Sequence, residues 1–166
     1  MGRAATKDSQ LQIRVTLAQK RAIRRQAARA GMSLSEWLLS RALPPPEQRF
    51  RELVAELAGD DDPGFAVAEL LDWLDALPAR DFERVTAERP DTPLSDYWAN
   101  QLAATLEHAA ARKDAAPPAW TREIPPLAEP AFGSELASLR LHLLLGAPPA
   151  FAARNLFIDT SVGGRV

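Results

Sequence analysis

Between Gln10 and Leu17 polar Gln10, Gln12, Arg14 and Thr16 alternate with apolar Leu11, Ile13, Val15 and Leu17. Three of the polar residues carry side chains suited to reading a base edge. Arg binds guanine bidentately, Gln pairs with adenine, and Thr offers a hydroxyl and a methyl. A period of two places alternate residues on opposite faces of a strand. Gln12, Arg14 and Thr16 would therefore share one surface, while Ile13, Val15 and Leu17 share another that has to be covered. The same alternation also fits a half-buried edge strand whose polar face does nothing.

The neighbouring segments supply the elements that would hold such a surface. From Ala18 to Ala30 the composition turns to Ala, Arg, Lys and Gln, all good helix formers, with Leu17, Ile23, Ala27 and Ala30 able to line one side. Ala18 stands where a capping Ser, Thr or Pro is expected, which leaves the start of this helix open. Gly31 supplies the left-handed residue that ends it. Ser33 followed by Glu36 reads as a capping box opening a second helix, with Leu34, Trp37, Leu38 and Ala42 apolar and Pro44 to Pro46 stopping it. A lone short strand cannot satisfy its edge groups, so a partner strand is expected, most simply the same strand of a second copy.

The strand Gln12-Ile13-Arg14-Val15-Thr16-Leu17, the turn Gly31-Met32-Ser33 and the helix start Leu34-Ser35-Glu36-Trp37-Leu38 resemble the ribbon-helix-helix superfamily of bacterial DNA-binding proteins. The resemblance covers about the first quarter of the chain. It implies a homodimer whose antiparallel ribbon enters the major groove of operator DNA, with Gln12, Arg14 and Thr16 reading bases. It also implies a dimer core of Ile13, Val15, Leu17, Ile23, Leu34, Trp37 and Leu38. In that family the amino end of the second helix holds a DNA phosphate, a position matched here by Ser33 and Leu34, where the helix dipole favours an anion. Lys20, Arg21 and Arg25, with Arg24 and Arg29, would add phosphate contacts that fix position without reading sequence. A merely solvated basic face accounts equally well for several of them.

Charge is divided unevenly. Residues 1–44 contain nine Lys and Arg against two acidic residues, a net of +7, whereas residues 45–166 contain eleven against twenty, a net of −9. That asymmetry points to a nucleic-acid-facing amino end and a body that avoids phosphate. With no cysteine, disulfides and thiolate metal sites are excluded. No charged-then-apolar leader opens the chain, and the greasy run Leu141–Ala147 is too short to span a bilayer, so a soluble, cytoplasmic protein is expected.

Downstream, helical spacing of apolar residues predicts helices over Glu47–Ala58, Phe65–Leu77, Ala79–Glu88 and Leu94–Arg112. The aspartates Asp60 to Asp62 lack the alternation and the distant glutamate of a calcium loop and read as a solvated turn. From Ala115 proline pairs alternate with large apolar groups, and only Ser134–Leu145 looks helical. Such a tail either wraps its own body or is an extended segment that folds on a protein partner, with Trp120, Phe132, Phe151, Leu156 and Phe157 as anchors. Arg154 to Asp159 reads as a final strand. Catalytic constellations are missing: the two histidines, His108 and His142, are far from any nucleophile or ligand pattern, and no phosphate-binding glycine motif occurs.

The expected architecture is mainly α. It comprises a flexible arm (1–8), a dimeric ribbon-helix-helix unit of one strand and two helices (9–44), an acidic helical region (45–114) and an extended Pro-rich partner-binding tail (115–166). No enzyme activity, cofactor or metal is expected. The function this implies is that of an antitoxin of a type II toxin–antitoxin system, binding its operator as a homodimer and neutralising a cognate toxin through the tail. The alternative is a stand-alone ribbon-helix-helix repressor or plasmid-maintenance regulator.

Overall fold

The computed structural model describes residues 12–59 and 63–158. The expectations for the arm Met1–Asp8, for Gln10 and Leu11, for Asp60–Asp62 and for Asp159 fall outside those residues. The chain divides into two compact units, residues 1–49 and 50–166.

In the first unit residues 12–16 belong to no helix or sheet, with Thr16 extended, and helix α1 (Leu17–Arg29) follows directly. The expected N-terminal strand, and with it the ribbon, is therefore corrected: among the described residues the only strands lie at 131–132 and 156–157. The physical reason is that a strand exists through its hydrogen-bonding neighbour, and none of the described residues pairs with 12–16. Ala18 does not leave the helix uncapped, because the cap lies two residues earlier. The Thr16 hydroxyl accepts from the Gln19 N–H at 3.2 Å, and the Gln19 side chain accepts from the Thr16 N–H at 2.9 Å, a complete capping box. At the other end Gly31 takes φ +66°, and the Met32 N–H reaches back to the Ala27 carbonyl at 3.0 Å. That Schellman closure turns the chain into α2 (Leu34–Ala42), which is opened by the Ser33–Glu36 capping box.

The second unit is a helical body. Helices α3 (Pro46–Gly59), α4 (Pro63–Ala76), α5 (Ala79–Thr86) and α6 (Asp96–Lys113) follow the predicted apolar spacing with small shifts at their ends. Phe50, Leu53, Val54 and Leu57 of α3 pack with Leu70 and Leu74 of α4, Phe82 and Val85 of α5, and Leu102 and Leu106 of α6. Phe50 and Trp73 stack with ring centroids 6.1 Å apart. The alanines of α6 let the helix bury itself on two sides. Ala103, Ala109 and Ala110 face this core, while Ala104 faces a second, smaller one with Phe151 and Leu156.

The segment after α6 is not an extended tail, which corrects the second part of the expected architecture. A 3-10 turn (Ala119–Glu123) drops Trp120 into the main core, where its indole N–H donates to the Thr86 carbonyl at 3.0 Å. Strand β1 (Ala131–Phe132) then precedes α7 (Arg140–Gly146) and α8 (Pro149–Ala152), and β2 (Leu156–Phe157) pairs with β1 in parallel. The predicted terminal strand thus adds to an edge within its own chain.

Arg154 explains how so proline-rich a stretch holds its shape. Its side chain is 7% exposed, and its guanidinium donates to Glu107 at 2.6 and 3.2 Å. It also donates to the Asn100 side chain at 3.2 Å and to the carbonyls of Thr121 at 2.7 Å and Ile124 at 3.3 Å. Asn100 in turn donates to the Pro125 carbonyl at 3.0 Å. Prolines lack the N–H groups of a regular ladder, so carbonyls left without partners are answered by this arginine and asparagine. At Asn155, φ is +57°, a conformation Asn tolerates better than most residues, and its side chain donates to the Leu127 carbonyl at 2.6 Å.

Replacing Arg154 by Met should leave the Glu107 carboxylate and two carbonyls uncompensated and cost about 3–5 kcal/mol in urea unfolding of the second unit. A loss under 1 kcal/mol would show that the network does not hold the segment. A smaller pH effect comes from His108 on α6, whose ring meets Phe151 edge-on with centroids 6.0 Å apart. Burial, aided by Arg112 and opposed by Asp75, pushes its pKa below the ordinary 6.5. The unfolded chain then binds the proton more readily, so this contribution is present above pH 6.5 and is lost as pH falls through the lowered value. Unfolding of His108→Gln should be measurably less sensitive to pH between 7 and 5.

Candidate nucleic-acid interface

The first unit gathers two kinds of exposed surface. Gln12 and Arg14 are exposed in the segment that leads into α1. Lys20, Arg21, Arg24, Arg25 and Arg29 are all exposed along α1, which has no acidic residue in its first turn. Residues three and four apart share a helix face, so Lys20 with Arg24, and Arg21 with Arg24 and Arg25, form a continuous cationic strip. It lies on the same unit as Arg14. Such a strip suits the evenly spaced negative charges of a phosphate backbone.

Thr16 belongs elsewhere. Its N–H and hydroxyl are both engaged with Gln19, including a hydroxyl donation at 3.1 Å, so its polar atoms start α1 instead of facing outward for a base edge. Gln19 was overlooked as its partner, although the spacing of Thr16 and Gln19 is that of a capping box and could be read from the sequence. A similar limit applies at α2. The Ser33 N–H donates to the Glu36 carboxylate at 3.0 Å, and the Ser33 hydroxyl accepts from the Glu36 N–H at 3.2 Å. The N–H groups that remain for a phosphate belong to Leu34 and Ser35, and the Glu36 carboxylate sits beside them as a competing anion.

The second surface is apolar. Ile13 is 59%, Val15 43% and Leu17 65% exposed, and Leu34 is also exposed. Ile23, Trp37 and Leu38 are only half covered, and Ala27 is the one buried side chain of α1. Ile13, Val15, Ile23, Leu34 and Leu38, with Lys20 and Ser35, line an open cleft of about 320 Å³. The seven residues expected as a dimer core thus lie on one small unit, and none of them is buried within it. Arg41 stacks over Trp37, its guanidinium carbon 5.7 Å from the ring centroid, a contact the helical spacing of the two residues allows.

The residues expected to bind a protein partner lie in the second unit. Trp120, Phe151 and Leu156 are buried in its cores, and Phe132 and Phe157 are half-buried and stacked on each other with centroids 5.4 Å apart. They are covered largely by their own chain. Among the described residues no three His, Asp or Glu side chains gather as metal ligands, and no helix is long and apolar enough to cross a membrane.

Residues 5–59 match the family model described as NikA-like, mobilization protein NikA, which spans the first unit and α3 and about a third of the 166-residue chain. No curated protein and no solved structure matches the chain. The similarity to mobilization protein NikA is therefore confined to the amino-terminal third.

Proposed function

We propose that this chain binds double-stranded DNA through its first unit, as a self-associated pair, and serves DNA mobilization or the control of the DNA it binds. It acts by binding and not by catalysis. The observation that carries this reading is the coexistence, on a unit of 49 residues, of a cationic α1 and an apolar face that is exposed among the described residues. The first suits phosphate. The second suits a copy of the same unit, since a face this apolar is unfavourable in water and a second copy supplies a surface of the same kind. The match to mobilization protein NikA over residues 5–59 supports the same assignment.

Within this reading Arg14 and Gln12 are the base-contacting candidates, the arginines of α1 hold phosphates, and Thr16 shapes the entry to α1. The operator-repressor role expected from the sequence is compatible with it. The antitoxin role draws no support from the placement of its anchors, because Trp120, Phe151 and Leu156 are enclosed by their own chain.

Fluorescence anisotropy with labelled duplexes across a salt series tests the assignment. Arg25→Ala should weaken binding to every sequence alike and flatten the salt slope by about one. Arg14→Ala should cost about 1–3 kcal/mol on the preferred site and relax its selectivity. Thr16→Val should lower the melting temperature of the first unit, at a cost of about 1 kcal/mol, without changing which duplex is preferred. Absence of salt-dependent binding at low ionic strength would end the DNA reading. Leu38→Glu, which puts a charge into the apolar cleft, should abolish cross-linking between two copies of the full chain through a thiol introduced beside the cleft, Ser35→Cys; unchanged cross-linking would remove the pair.

A further inference from the structure

The second unit carries an uncovered apolar face of its own. On α7 Leu143 is buried, while Leu141, Leu144 and Leu145 are exposed, Leu145 to 80%. The three exposed leucines fall at i, i+3 and i+4, the spacing of a helix–helix seam, on the side of the helix away from Leu143. Leu136 and Leu139, just before the helix, are exposed as well. Exposed large apolar side chains concentrated in this way on one short segment, and not scattered singly, mark an interaction surface.

We propose that this leucine face is a self-association surface, covered by the same face of a second copy. Charge identifies the occupant. Residues 45–130 hold eight Lys and Arg against eighteen Asp and Glu, whereas residues 131–158 hold two arginines and one glutamate. A body this acidic repels its own copy wherever carboxylates would meet, and the leucine face lies in the segment where they are nearly absent. Of the two arginines, Arg154 is buried on Glu107, and Arg140 is folded over the Phe132 ring at 5.2 Å. Arg140 is nonetheless exposed and borders the stripe beside Leu144, so an antiparallel pairing, which sets the Arg140 ends of the two helices apart, is the one that keeps these like charges from meeting. A two-fold pairing sets leucine against leucine, which an uncharged stripe satisfies with itself.

The chain has no cysteine, so a single introduced thiol reports on this face alone. Full-length Leu144→Cys, on oxidation or with a short bismaleimide, should cross-link to itself at least tenfold faster than a control with the thiol on α4, Asp72→Cys. Adding Leu141→Ser and Leu145→Ser to the reporter should bring its rate down to the control, with helical content and melting temperature retained. Equal cross-linking of reporter and control, or a rate untouched by the two serines, overturns the proposal. Repeating the measurement with Leu38→Glu separates this surface from the DNA-binding reading. Persistence of fast cross-linking supports a seam that acts independently of the first unit; a rate that falls to the control shows that the thiols met only because the first units were paired, and overturns it.

Discussion

A guanidinium taken out of water has to be answered on the N–H groups it brings with it, and the second unit is arranged around that demand at Arg154. The carboxylate of Glu107 and the amide of Asn100 come from α6, and the carbonyls of Thr121 and Ile124 come from a stretch whose prolines leave it no ladder to join. Each side alone would be a set of buried acceptors. Joined through one arginine, they place Trp120 and Ile124 in the main core and hold Phe151 and Leu156 against Ala104. Gln101 stands as the contrast on the same helix, since its side-chain oxygen is buried with no hydrogen-bond partner.

The amphipathic helices were legible in the sequence because their signal is local. Phe50, Leu53, Val54 and Leu57 bury where their spacing says, and Ser33 with Glu36, Gly31 and Pro78 mark helix ends where their chemistry requires it. What could not be read depends on partners remote in the chain. The alternation from Gln12 to Leu17 specifies two faces but provides no neighbouring edge, and residues 12–16 join no strand among the described residues. The route of residues 115–158 was hidden for the opposite reason. Its proline pairs argue against regular structure, and the residue that fixes it, Arg154, looks like any surface arginine until Glu107, 47 positions earlier, is brought to meet it.

Within the candidate interface, residue types were easier to read than residue duties. Arg14 and the arginines of α1 are exposed where a phosphate or a base could meet them. Thr16 was chosen for its hydroxyl and methyl, and that hydroxyl is engaged with Gln19 at a helix start, while the Ser33 N–H, expected at a phosphate, donates to Glu36. Competition of this kind follows from the chemistry that makes Ser and Thr good caps, because the oxygen that would greet a ligand also reaches the backbone three residues on. The two halves of the chain therefore divide the work by surface chemistry, with a cationic and apolar unit at the amino end and an acidic body whose own side chains fill its cores.

The long reach between Glu107 and Arg154 also sets a timetable. At roughly 5–20 residues per second, a ribosome needs about 2–10 s to add the 47 positions that separate them. For that interval α6 has been made but the arginine that completes its polar side has not, and Glu107 and Asn100 must stay hydrated. The main helical core can gather during this delay, whereas the small core around Phe151 and Leu156 can close only after it, since Leu156 follows Arg154. A nascent chain halted between the two points would display a half-finished α6 to chaperones and proteases.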